Sequence, residues 1–107
     1  MFDGLKDMGK LLKQAKEMKS KMKQVQDELK KLRVTGTAAN DKIKVTVTGE
    51  LDIIDLTIDP SLLDPKNAPS LEKAVIKAIN EATLKAKGIA TQRLTEVSGG
   101  LDIPGLN

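Results

Sequence analysis

The sequence of 107 residues contains no cysteine and no histidine. Their absence excludes a disulfide framework, zinc held by thiolate or imidazole, a cysteine nucleophile and a histidine general base. Phe2 is the one aromatic residue, so stacking of bases on rings, the usual instrument of sheet platforms and single-strand grooves, has little to work with. No run approaches the roughly 18 apolar residues of a membrane span, and the first residues lack a charged start followed by an apolar stretch. The chain reads as a soluble, cytoplasmic protein. A length of 107 residues leaves room for one small domain, 1–107, with a modest core.

What is plentiful is charge, and it is unevenly spread. Residues 1–33 hold ten Lys/Arg against five Asp/Glu, whereas residues 34–107 hold eight against ten. The net charge of +3 therefore hides a basic first third and a slightly acidic remainder.

That first third also carries a repeat. Met8, Leu11, Ala15, Met18, Met22, Val25, Leu29 and Leu32 recur at alternating steps of three and four, the heptad spacing of a helix with one apolar stripe. Such a stripe needs a partner surface. The spacing predicts a helix from about Leu5 to about Leu32, with Asp3 as its N-cap or as an acid in its first turn. On the same heptads Lys16, Lys23 and Lys30 fall on one outer line, Lys6 and Lys13 on another, and Lys10 and Lys31 on a third, all outside the apolar seam. Glu17 with Lys21 and Asp27 with Lys31 stand four residues apart and are placed to pair, which leaves the unbalanced charge around Lys6, Lys10, Lys13 and Lys16.

The pattern then changes period. Val34 to Ala38 is small and β-branched, Asn40-Asp41 marks a turn, and Ile43, Val45 and Val47 alternate with Lys44, Thr46 and Thr48 as in a strand buried on one face. Gly49-Glu50 suits a two-residue hairpin loop with glycine first. Ile54, Leu56 and Ile58 follow, with Asp55 and Thr57 facing the other way. Residues 34–59 thus read as a three-stranded meander whose apolar face requires a covering layer. Pro60, Pro65 and Pro69 punctuate a turn over residues 60–69. A second long helix spans residues 70–97, with Ser70 as its cap and Glu72 in its first turn. Its alanines at 74, 78, 82, 86 and 90 permit close approach to a neighbour, and Gly88 is a local weakness. Residues 98–107, with Ser98-Gly99-Gly100 and Pro104-Gly105, form a tail.

Dimensions add a constraint. A helix of about 28 residues is roughly 42 Å long, but a strand of about seven residues covers only roughly 23 Å. The first helix must overhang the sheet. Its stripe is expected to serve as core near the sheet, and to meet the second helix or a second copy of the chain further out.

A resemblance covers essentially the whole chain. The opening Met-Phe, the run LLKQAKEMKSKM from Leu11 to Met22, VTG from Val34 to Gly36, KVTVTGE from Lys44 to Glu50, IDPSLL from Ile58 to Leu63 and VSGGLDIPG from Val97 to Gly105 occur in this order. Together they resemble the YbaB/EbfC family of bacterial nucleoid-associated proteins. The resemblance implies an α+β subunit in the order α-β-β-β-α, two-layered and dimeric, with long helices that project like the arms of tweezers. It implies a homodimer binding double-stranded DNA in the nucleoid, with effects on chromosome organisation and gene expression, and neither catalysis nor a cofactor. Its DNA-facing surfaces would be the basic faces of both long helices, and Lys13 lies in the shared KQA motif. Lys10, Lys13 and Lys16 are the first candidates for DNA contact, then Lys6 and Lys23, with Lys87 and Arg93 on the second helix. Arginine, the usual bidentate reader of guanine, occurs only at 33 and 93, so phosphate contacts are expected to outweigh base readout. Two other classes compete. One is a coiled-coil-like protein-interaction module whose lysines merely keep it in solution. The other is an enzyme built on Asp52, Asp55 and Asp59, for which no nucleophile, base or phosphate-cradling loop is in sight.

Overall fold

The computed structural model of the chain describes the backbone of residues 2–99 and the side chains of residues 8–97. A long helix, α1 (Phe2–Lys31), leads into three strands, β1 (Val34–Ala38), β2 (Ile43–Val47) and β3 (Ile53–Ile58). Single 3-10 turns at Pro60–Leu62 and Pro65–Asn67 lead to a second long helix, α2 (Ala68–Gly99). The strands form one antiparallel sheet in the order β1-β2-β3. The expected α-β-β-β-α order is therefore present, in a molecule drawn out to 77 Å along its longest axis.

The two layers meet through small residues. Val34, Gly36 and Ala38 of β1 and Ile43, Val45 and Val47 of β2 turn toward α2, which answers with Ala78, Ala82 and Ala86. These alanines and the three β2 residues are completely buried. A Cβ on Gly36 would collide with the Ala78 carbonyl oxygen and stand 2.5 Å from the Ala82 nitrogen. The four-residue alanine spacing thus does what its size suggests, bringing helix backbone onto strand backbone.

Helix α1 is attached by its C-terminal part alone. Val25 and Leu29 are buried, and the Gly49 N–H donates to the Leu29 carbonyl oxygen at 2.8 Å, occupying one of the acceptors a helix end leaves open. The Arg33 guanidinium donates to the carbonyls of Lys30, at 2.9 Å, and Leu32, at 3.1 Å. Lys30 and Lys31 add charge that suits a helix C-terminus. The covering layer over the sheet is α2, and α1 leaves as an arm.

Several local expectations are corrected. The first helix begins at Phe2, which settles Asp3 in its first turn, the second of the two places expected for it. The second begins at Ala68, which puts Ser70 inside the helix and not at its cap; the carboxylates of Asp59 and Asp64 cap the two 3-10 turns that precede it, accepting from Ser61 N at 2.8 Å and Lys66 N at 3.0 Å. Five residues separate β2 from β3, and Thr48 N donates to the Asp52 carbonyl at 2.9 Å, so the loop closed by that bond holds residues 49–51, three and not two. Leu51 N donates to the Thr48 carbonyl, and the residue with positive φ is Leu51, at 72°. Gly49 is needed for another reason: a Cβ there would stand 2.7 Å from the Leu29 carbonyl oxygen. The expected Asn40-Asp41 turn is present, with φ positive at Ala39, Asn40 and Asp41. Helix α2 runs unbroken through Gly88. The tail beyond Gly99 and the side chain of Lys6 lie outside the described residues.

The largest correction concerns β3. Its register places Leu56 opposite Val45 and Ile58 opposite Ile43, on the face that α2 covers elsewhere, while a bulge near Val47 leaves Ile54 without a partner. Yet α2 stops short of this strand. Ile53 is 53% exposed, and Ile54 and Leu56 are each 47% exposed.

Candidate nucleic-acid interface

Helical periodicity puts lysines on the solvent side of α1, and the shape of the domain carries them away from everything else. Lys10, Lys13, Lys16 and Lys23 are all exposed. The anticipated pairs Glu17–Lys21 and Asp27–Lys31 do not form; the ion pairs among the described residues are Lys85–Glu81 and Arg93–Glu28, both at 2.9 Å. Exposed, extended side chains gain little from pairing at this spacing. The lysines of the arm are consequently left to solvent or to a polyanion.

Arg93 has a different position from the one its sequence suggests. It reaches across to Glu28 and braces α2 against α1, so its charge is already matched within the chain. The shallow groove between the two helices is lined by Lys21, Gln24, Glu28, Arg93 and Glu96, an even mixture of signs. Lys87 is exposed on α2, six residues nearer the sheet than Arg93. Since Arg93 stands level with Glu28, Lys87 and Lys13 are separated by about 30 Å along the arm at 1.5 Å per residue. The candidates therefore do not form one cluster. Lys10, Lys13, Lys16 and Lys23 share the arm; Lys87 and Arg93 belong to its base.

Sequence reasoning missed the second surface. Ile58, Leu71, Val75 and Ile76 line an open groove between β3 and the flank of α2, with Glu72 at its edge. Further along the same strand the side chains of Ile53, Ile54 and Leu56 are also bare. The signal was present in the strand count, because one alanine-faced helix is too narrow to roof three strands.

The remaining titratable features are local. Hydrogen bonding to Ser61, first through its backbone N–H, holds the Asp59 carboxyl below its ordinary value of 3.8. The Lys85 ammonium, hydrogen-bonded to Glu81, likewise lowers that carboxyl from 4.5. Asp52 and Asp55 are exposed, and among the described residues no group of three or more His, Cys, Asp or Glu side chains could hold a metal ion.

The structure is a small two-layer α+β domain with a projecting basic helix and an unroofed sheet edge. Residues 4–101 match the sequence model of the YbaB/EbfC DNA-binding family. The chain belongs to that family. It is 39% identical over 100 residues to a nucleoid-associated protein of Bartonella bacilliformis, covering 94% of this chain and 93% of the relative. A nucleoid-associated protein of Rhodospirillum rubrum is 36% identical over 100 residues, covering 94% of each chain. Among solved structures, an uncharacterized protein of Helicobacter pylori superposes with a TM-score of 0.71 at 21% identity, covering 83% of this chain and 90% of the other, which shows the shared fold. None of the helices among the described residues is long and apolar enough to cross a membrane.

Proposed function

We propose that this chain is a nucleoid-associated protein that binds duplex DNA as a homodimer, with the exposed lysines of α1 contacting phosphates. One observation carries the reading: a basic helix, in a chain of this family, stands clear of its own domain with Lys10, Lys13, Lys16 and Lys23 exposed and outside the ion pairs found among the described residues. Lys10, Lys13 and Lys16 make the principal contacts, with Lys6 and Lys23 extending the track and Lys87 reached only by DNA that lies along the whole arm. Lysine ammonium groups bind phosphates as point charges. Affinity is therefore set mainly by counterion release and varies little with sequence.

The homodimer is supported by the uncovered edge of the sheet. Ile53, Ile54, Leu56 and Ile76 together offer an apolar face that water disfavours, and a second copy related by a two-fold axis would present the same face in return. Two arms per assembly double the phosphate contacts and raise avidity without any new type of contact. The protein acts in the cytoplasm, on the nucleoid, where such binding bears on chromosome organisation and gene expression.

The test is binding to duplex DNA across a salt series, with oligomeric state measured on the same sample. If about six to ten phosphates are neutralised, affinity falls roughly 10³ to 10⁵ fold between about 50 and 200 mM salt. Charge reversal at Lys10, Lys13 and Lys16 together abolishes the shifted band, because these exposed positions contribute nothing to the core. A flat salt response, or retention unchanged by the reversal, defeats this choice of surface. A second reading, docking of a protein helix along the arm, is favoured by the exposed Met8, Leu11 and Leu12; it predicts association that those three residues control and the lysines do not.

A further inference from the structure

The heptad stripe of α1 meets two fates. Val25 and Leu29 are buried at the base of the arm, whereas Met8 is 60% exposed and Leu11 and Leu12 are each 63% exposed. Nothing else in the described chain reaches them: Val97, the last described side chain of α2, lines a groove with Lys21. The outermost described side chains of the arm, called its tip below, form a two-turn apolar patch on a seam that is already a packing surface lower down.

The charges around the seam say what the patch fits. With Met8 as the first heptad position, the side chains bordering the seam are Leu12 and Gln14 in the tip, then Lys19 and Lys21 in the next heptad. A second tip laid against the first meets no like charge over these two turns, but deeper overlap would oppose lysines across the seam. Lys10, Lys13 and Lys16 stay on the outer lines. An identical tip is thus tolerated over one short register, and the basic surface remains free while it is paired.

We infer that the α1 tip, at Met8, Leu11, Leu12 and Gln14, is a self-association surface that pairs with the tip of another copy of the chain. Two turns bury well under the about 1,200 Å² of a small stable interface, so pairing is weak between free molecules. It becomes effective when a common DNA duplex holds copies side by side and raises their local concentration. The outcome is a contiguous array of DNA-bound copies. The array rests on the DNA-binding reading above; the pairing itself does not.

The chain has no native cysteine, so Gln14→Cys in the full chain accepts a single spin label. Without DNA, the label should show a short-distance population, within about 20 Å for helices packed about 8–10 Å apart, that grows with protein concentration. It should vanish in the Leu11→Ser/Leu12→Ser background, and circular dichroism checks that this exposed pair of changes leaves the fold intact. A distance distribution that is the same in dilute and concentrated solution overturns the pairing. With DNA, the double substitution should keep affinity for a short single-site duplex within about twofold, while the Hill coefficient on a long duplex falls to about 1. Equal loss on both duplexes means that the leucines touch DNA, and overturns the array. Co-sedimentation with phosphatidylglycerol vesicles that requires Leu11 and Leu12, without concentration-dependent pairing, assigns the patch to lipid and overturns the proposal. Pairing without any duplex binding supports the tip surface and sinks the DNA reading instead.

Discussion

At the sheet, α2 lies so close to β1 that Gly36 has no room for a Cβ beside Ala78 and Ala82, while far out on α1 the side chains of Met8, Leu11 and Leu12 are mostly exposed. The small residues at the sheet let the two layers close, whereas the large ones far out on the arm contribute little to the fold. Burial, not residue size, decides what an apolar side chain contributes: a leucine gains roughly 1.5–3 kcal/mol only when it leaves water. An alanine that admits a neighbouring backbone secures the burial of Ile43, Val45 and Val47 around it. The two ends of the molecule are thus built for different purposes, one to hold and one to reach.

The sharpest way to break the holding end is Gly36→Ala. Its Cβ meets helix backbone, which cannot rotate aside as a side chain could, so we expect a loss of about 3 kcal/mol in denaturant unfolding, with α2 lifted from β1. The contrast along the arm comes next. Leu29→Ala should cost about 2–3 kcal/mol because it empties a buried site, whereas Leu11→Ala, on the same stripe, should change stability by less than about 0.5 kcal/mol. Equal effects would mean that the tip is covered in the free protein. Smaller and opposite in sign is Gly88→Ala: the position is helical and a Cβ there meets nothing within 4 Å, so thermal unfolding should show a gain of about 0.5–1 kcal/mol.

The smallest effect belongs to pH. Asp59 and Glu81 have carboxyl values lowered from the ordinary 3.8 and 4.5, so the folded state holds their protons less tightly than the unfolded chain. Their contribution is present above the ordinary values and is lost as pH falls through the lowered ones. Carboxyl titrations followed by NMR should place both midpoints below the ordinary values. Glu81 should return toward its ordinary value in Lys85→Met, and Asp59 should not respond.

The order of elements and the basic helix were legible because each rests on a local rule. The heptads of α1, the alternation in β2 and the four-residue alanine spacing of α2 need only neighbours in sequence to be read. The ends of elements were less legible, as Ser70 illustrates, since several polar residues near a helix start can serve as cap and tertiary packing decides among them. The left-handed residue of the β2–β3 loop was misplaced because glycine is the natural choice for positive φ. Gly49 is spoken for by its contact with Leu29, and Leu51 takes the strained conformation. For the site, exposure of Lys10, Lys13, Lys16 and Lys23 followed from the heptads. The engagement of Arg93 by Glu28 is 65 residues distant in sequence and could not. Nor could the bare edge of β3, which depends on how far one helix extends sideways over a sheet.

The attachment of α1 through Val25, Leu29 and the Gly49–Leu29 hydrogen bond makes the helix a cantilever clamped at one end. From Leu29 to Met8 the beam is about 32 Å long at 1.5 Å per residue. A tilt of about 10° at the clamp would swing the tip by about 6 Å, close to the difference between a major groove about 12 Å wide and a minor groove about 6 Å wide. Rotations too small to disturb the core are magnified into displacements of groove size at the free end. Stiffness at Gly49 therefore sets where the free end of the arm comes to rest: a bulkier residue there would reset the angle at which the helix leaves the sheet.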